Sequence, residues 1–152
     1  MSEVSPVVSN RFVLGGDLNH HGTLFAGRTA SWFIETGLMA VCHWVPAEDV
    51  VCAHLHGMGF AEPVHLGETV TFTGKAVLAG RTSFVAHIDV KVGERAIMDG
   101  FVTYVTTGAD GKSRPHGVTL EAVTPGGPPP ANSPARGRAR PPLPSRFTRR
   151  AT

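Results

Sequence analysis

The sequence predicts an α+β fold in which an antiparallel β-sheet wraps around one long central helix. Three observations carry this. Residues 25–43 place apolar side chains on nearly every side of a helix and include a single carboxylate, Glu35. Such a helix is expected to be covered by other structure rather than laid on a surface. Residues 68–105 alternate between apolar and polar over successive runs, the period of strands with one buried face. Those runs are joined by the short turns Ala79-Gly80 and Val92-Gly93, which connect neighbouring strands as an antiparallel meander.

Taken in order, Ser5 to Leu14 reads as a first, irregular strand ending at Gly15-Gly16. The helix runs from Phe25 to His43, and Trp44-Val-Pro46 stops it, because the residue before proline is driven out of helical geometry. Val50 to His56 is rich in β-formers, and His54 and His56 share one strand parity. Glu68 to Leu78 puts Val70, Phe72, Gly74, Ala76 and Leu78 on one face. Ser83 to Val92 does the same with Phe84, Ala86, Ile88, Val90 and Val92, and Glu94 to Thr107 supplies a last strand. A sheet of this kind buries one face against the helix and leaves the other to solvent or a second subunit. Its open edges favour pairing of two copies.

Composition places the chain among globular proteins: 152 residues, 41% hydrophobic and 17% charged. No apolar run approaches the ~20 residues of a membrane span, and residues 1–10 lack the basic start and apolar core of a secretory leader. Cys42 and Cys52, the only cysteines, fall in apolar segments and are expected as buried free thiols. A cytoplasmic protein is therefore expected. Charge is uneven. Residues 1–121 hold eight basic residues against all twelve acids, a net of −4, whereas Arg136, Arg138, Arg140, Arg146, Arg149 and Arg150 stand in a tail without any acid. The tail is rich in Pro, Gly, Ala and Arg, with little apolar surface to offset its ordering entropy. We read residues 1–123 as the folded domain and 124–152 as a disordered basic extension. It is expected to solubilise the domain; weak contacts with nucleic acid, an anionic membrane or the acidic domain itself are the alternative, and no nucleic-acid partner is expected.

The chemistry-bearing residues gather at the start of the helix. Asn19-His-His-Gly22-Thr-Leu-Phe25-Ala-Gly27 is a glycine-punctuated entry to it, and Glu35 is the only carboxylate between Thr29 and Pro46. A helix N-terminus offers unpaired N–H groups and the positive end of the dipole, suited to an oxyanion. Gly27 is small enough to admit a carbonyl to that backbone. Gly22 and Gly27 equally suit turn geometry and tight packing. A Glu35 buried among Trp32, Phe33 and Leu38 should have a raised pKa, which suits a general base; a hydrogen-bonded structural carboxyl is the alternative. Asn19 has the ordinary use of capping a turn. His20, His21, His54 and His56 do not have the spacing of a metal site, and no metal is expected. Ser83 lacks the Gly-x-Ser-x-Gly context of a serine hydrolase, and no nucleotide-binding glycine loop is present.

The pattern Asn19-x-x-Gly22-Thr-Leu-Phe25-x-Gly27, followed by an acid in the helix, resembles acyl-CoA thioesterases of the hotdog fold. It is most similar to the cytosolic acyl-CoA hydrolase, or YciA-like, branch of the 4-hydroxybenzoyl-CoA thioesterase superfamily. Further matches follow in order: Gly57-Met-Gly-Phe60, Pro63-Val-x-x-Gly67-Glu-Thr-Val70, Gly80-Arg-Thr-Ser83, Phe101-Val-Thr-Tyr-Val105 and Gly111-Lys-Ser-Arg-Pro115. The resemblance covers about residues 12–116. It implies hydrolysis of an acyl-CoA to free acid and coenzyme A, with no cofactor beyond the coenzyme A of the substrate. It further implies sites shared between subunits of a homodimer, itself assembling to a tetramer or hexamer.

Residue by residue, the resemblance gives Asn19 the orienting of water or thioester, Gly27 and its neighbours the oxyanion, and Arg81, Thr82 and Ser83 the phosphorylated end of coenzyme A. His20 and Gly22 would line the pocket mouth and Met58 the acyl wall. The family's essential Asp falls where this chain has Ile34. One residue is about 100° of helix rotation, so Glu35 is expected to take the role with a changed direction. A non-catalytic acyl-CoA binding or sensing protein is the alternative. A dehydratase on the same fold would pair its acid with a histidine, and no helix histidine lies near Glu35.

Overall fold

The computed structural model describes residues 4–120; the boundary read at 123 and the basic tail lie outside them. Strand β1 (Val7–Phe12) leads through a 3-10 turn (Gly15–Asp17) to helix α1 (Ala26–Val41). A second 3-10 turn (Ala47–Asp49) precedes β2 (Val50–His56), β3 (Thr69–Ala79), β4 (Ser83–Val92) and β5 (Arg95–Thr106). The strands form one antiparallel sheet in the order β1-β3-β4-β5-β2. This is the expected hotdog arrangement, with the meander β3-β4-β5 at its centre and β1 and β2 at its edges.

Helix α1 begins where Asp17 can serve it. The Asp17 carbonyl accepts the Phe25 N–H at 2.8 Å, and its carboxylate pairs with Arg28 in the first turn at 3.2 Å, a negative charge at the positive end of the helix. The helix ends at Cys42, ahead of Trp44 and Pro46. Its buried residues are Thr29, Phe33, Thr36, Gly37, Ala40 and Val41, a stripe on one face. The expected covering on every side is therefore corrected: the sheet packs from one side, and Arg28, Ser31, Glu35 and Met39 are exposed.

Contact between helix and sheet is close because small residues meet there. A Cβ on Gly37 would run into the Tyr104 hydroxyl and come within 3.0 Å of Ile88. One on Gly74 would lie 3.1 Å from the Thr36 carbonyl. Tyr104, fully buried in β5, donates its hydroxyl to the Ile34 carbonyl at 2.5 Å. Phe33, Phe72, Phe84, Ile88 and Val102 fill the surrounding core.

Two local expectations fail. The register of β3 on β4 shifts between Ala76 and Leu78, so Leu78 leaves the buried face and is exposed; a bulge inverts the parity of every residue after it. Cys42 and Cys52 are free but not buried: Cys42 is half-buried and Cys52 exposed. Cys52 lies on edge strand β2, where Val51 and Leu55 are also exposed.

The two ends of α1 are fixed by different contacts. Leu24, just before the helix, donates its N–H to Val64 at 2.8 Å, which fixes the helix start beside the loop that enters β3. At the other end Trp44 stacks on Phe84, ring centroids 6.1 Å apart, so the helix finishes beside the Gly80–Ser83 turn. The 16 residues of α1 separate these ends by about 24 Å.

Candidate active site at the helix start

The loop before α1 is built on Asn19. Its side-chain oxygen accepts the N–H groups of His21 at 2.9 Å and Thr23 at 3.2 Å, and its amide donates to the Thr23 hydroxyl at 3.1 Å. The Asn19 carbonyl also accepts the Gly22 N–H at 3.1 Å. Gly22 takes φ +78°, a left-handed conformation that favours glycine. Asn19 and Gly22 thus hold the turn that delivers the chain to the helix. His20 and His21 stand exposed at its tip with ring centroids 4.0 Å apart.

Among the described residues, the N–H groups of Ala26 and Gly27 have no backbone or side-chain acceptor, as expected of a first helical turn. They are donors free for an incoming oxygen. The ring of Phe25 folds over Gly27, and a Cβ there would come within 2.5 Å of it; Phe25 is exposed, so its ring can swing aside.

Beside these donors lies a cleft of about 240 Å³. Asn19, Thr23, Ala26 and Thr29 line it from the helix entrance, Phe60, Glu62, Pro63 and Val64 from the facing loop, and Ile97 from the sheet. The aromatic wall is Phe60; Met58, two residues earlier, is half-buried against the core and is not among the lining residues. Sequence reasoning missed Thr29 and Glu62, neither of which belongs to a recognisable pattern. The facing loop is anchored by Glu68, which accepts the His65 N–H at 2.8 Å and Arg95 at 2.9 and 3.1 Å. The His65 N–H, with help from Arg95, holds the Glu68 carboxyl below its ordinary value despite partial burial. Among the described residues, no group of three or more His, Cys, Asp or Glu is placed to hold a metal ion.

Glu35 is not in this cleft. The burial expected of it is absent: its side chain is 51% exposed and paired with Arg11 of β1 at 3.2 Å, while the Arg11 guanidinium lies 5.7 Å from the Trp32 ring centre. The sheet lies on the other side of the helix, so the apolar neighbours of Glu35 in sequence do not enclose it. Ile34 is half-buried against the core. Arg81, Thr82 and Ser83 are at the far end of the molecule. The Thr82 carbonyl accepts the Thr106 N–H at 2.8 Å, and Arg81 is exposed. One chain therefore brings Asn19, Gly22 and Gly27 together but not Glu35 or Arg81.

A family model described as the thioesterase superfamily matches residues 21–98. No curated protein sequence matches the chain. Among solved structures, a hexameric hotdog-fold thioesterase of Campylobacter jejuni is 28% identical, with a TM-score of 0.63 over 70% of this chain and 86% of that one. A hexameric thioesterase of Yersinia pestis is 23% identical, with a TM-score of 0.67 over 76% and 97%. An acyl-CoA hydrolase of Staphylococcus aureus, solved with butyryl coenzyme A and coenzyme A, is 20% identical, with a TM-score of 0.65 over 72% and 70%. The element order, the antiparallel sheet on one helix and the family match across the helix start agree: the chain belongs to the thioesterase superfamily and has the hotdog fold.

Proposed function

We propose that the chain hydrolyses acyl-CoA thioesters at sites completed between two copies of itself. The observation that carries this is the pair of unpartnered N–H groups at Ala26 and Gly27, opening on a cleft beside Asn19 in a member of the thioesterase superfamily. A thioester carbonyl set against these donors becomes an oxyanion when water attacks, and each such donor is worth about 10²–10³ in rate. Water loses a proton to a carboxylate, the new C–O bond forms, and the C–S bond breaks. The coenzyme A thiolate then takes the proton back.

The carboxylate in this reading is Glu35, supplied by the other copy. It is the only acid on α1 and stands on the face the sheet leaves uncovered, open to a second copy. Arg81 of that second copy is suited to the phosphates of coenzyme A. The exposed edge of β2, with Val51 and Leu55 uncovered, supports self-association, and the Campylobacter and Yersinia neighbours are hexameric. Among the described residues no helix is long and apolar enough to cross a membrane.

One observation favours a second reading, binding without hydrolysis: the acid is displaced from the Ile34 position and is held by Arg11. Release of free thiol from a panel of acyl-CoAs separates the two. The hydrolase reading expects turnover by the parent, a loss of kcat of about 10²-fold or more in Glu35→Gln, and partial retention in Glu35→Asp. Parental kcat in Glu35→Gln removes Glu35 from the chemistry, and binding without any thiol release establishes the second reading.

A further inference from the structure

We infer that the cleft beside the helix start takes the acyl group, and that Thr29 and Glu62 select a short, uncharged acyl group bearing a hydroxyl. The inference rests on the thioester reading above. With the carbonyl at the Ala26 and Gly27 N–H groups, the adjoining cleft is the space into which the acyl chain extends.

Its floor is apolar, formed by Leu24, Val64 and Ile97, all buried. Two hydroxyls line the cleft: that of Thr23, which is bonded to the Asn19 amide at 3.1 Å, and that of Thr29. Thr29 is only 4% exposed and lines the cleft. Its N–H is bonded to Phe25 at 3.2 Å, yet no hydrogen bond engages its hydroxyl among the described residues. Thr36, on the same buried stripe, shows the ordinary alternative: its hydroxyl bonds back to the Trp32 carbonyl at 2.8 Å. The Thr29 oxygen is not sealed from solvent, Arg95 Nε being the one buried side-chain polar atom without a partner among the described residues, so the hydroxyl offers one donor and two acceptor sites to a polar group that enters the cleft.

Size and charge narrow the class further. The volume, about 240 Å³, is below the ~300–1,000 Å³ of sites for drug-sized ligands, which suits a chain of a few carbons. Glu62 is the only ionisable lining residue. Arg95 Nε approaches it at 3.3 Å, but that N–H has no well-aligned acceptor among the described residues. The Arg95 Nη2 is committed to both oxygens of Glu68. One cation therefore serves two carboxylates, the surplus charge is negative, and an acyl group ending in a carboxylate meets like charge.

The test is equilibrium binding of butyryl-, 3-hydroxybutyryl-, succinyl- and palmitoyl-CoA to the full chain by calorimetry, with thiol release followed in parallel. 3-Hydroxybutyryl-CoA is expected to bind about tenfold tighter than butyryl-CoA, the worth of one hydrogen bond, with succinyl- and palmitoyl-CoA weaker than both. Thr29→Val removes the preference for the hydroxyl, Thr29→Ser keeps it, and Glu62→Gln narrows the gap between succinyl and butyryl. Equal binding of the hydroxylated and plain acyl groups, a preference surviving in Thr29→Val, or tightest binding of palmitoyl-CoA overturns the inference. Discrimination without thiol release overturns hydrolysis alone; thiol release without discrimination overturns the acyl selection alone.

Discussion

The contact between Gly37 and Tyr104 sets how closely α1 lies on the sheet, and Gly37→Ala measures it. The added methyl meets the Tyr104 hydroxyl and lies 3.0 Å from Ile88. Tyr104 and Ile88 are both fully buried, so neither can swing clear into solvent. Overpacking of this kind costs about 1–3 kcal/mol. Displacing the hydroxyl also weakens its bond to the Ile34 carbonyl, at about 1 kcal/mol. Against this, alanine is better than glycine inside a helix by about 1 kcal/mol. The net is a loss of about 1–3 kcal/mol, or a fall in Tm of roughly 4–12 °C for a domain of this size. Urea unfolding followed by the fluorescence of Trp32 and Trp44 reads the change. The double variant Gly37→Ala/Tyr104→Phe should recover about 1 kcal/mol relative to the sum of the single effects, because phenylalanine lacks the oxygen that the methyl strikes. A Gly37→Ala variant as stable as the parent, or strict additivity, refutes the close approach and leaves helix propensity alone in control.

Two pH effects follow from groups whose titration is shifted in the folded state. Glu68, whose carboxyl is lowered in the folded state, contributes stability present above its ordinary value and lost as pH falls through the folded value. Glu68→Gln should therefore flatten the acid limb of stability between about pH 5 and 3, and an unchanged limb counts against the His65 and Arg95 contacts. Tyr104 is shifted the other way, its phenol raised by burial, then by Cys52 and Cys42. Its contribution is intact below its unfolded value near 10 and declines as pH rises beyond it, so Tyr104→Phe should be less sensitive to alkali than the parent in urea midpoints between pH 9 and 11.

How far the sequence carried the reading depends on what each feature leaves in the chain. Strand β4 (Ser83–Val92) and strand β2 (Val50–His56) have the bounds expected of them, because alternation and β-branched runs are local properties. The bulge at Leu78 was not legible: it changes register and not composition. The exposure of Glu35 was hidden for a different reason. The helix is apolar almost all round, yet the sheet covers only one stripe, and sequence does not say whether the remaining apolar side chains face the same chain or another. Of the site, Asn19, Gly22 and Gly27 are neighbours in sequence and arrive together in space. Thr29 and Glu62 join them through tertiary contact, which no short pattern records. Arg81 was legible as a turn arginine, but not that its turn lies at the opposite end of the helix.

That separation is the reason the proposed reaction is read with a two-copy site. About 24 Å of helix stands between Asn19 and the Arg81 turn, so one coenzyme A thioester would have to lie along the whole of α1 to meet both in a single chain. Pairing of two β2 strands about a twofold axis is antiparallel and reverses the ends. The Val50 end of one strand, which adjoins Thr106 and through it Thr82, then lies beside the His56 end of the other, where the chain enters the cleft loop. Each site would take Asn19 and the helix start from one copy and Arg81 from its partner. Mixing tests this directly. Asn19→Ala and Arg81→Ala are each expected to be impaired alone. After unfolding and refolding together in equal amounts, half the dimers are mixed and each has one intact site, so about a quarter of parental kcat/KM should return. Activity that stays at the mean of the two variants would place both residues in sites of a single chain, or remove one of them from the site altogether.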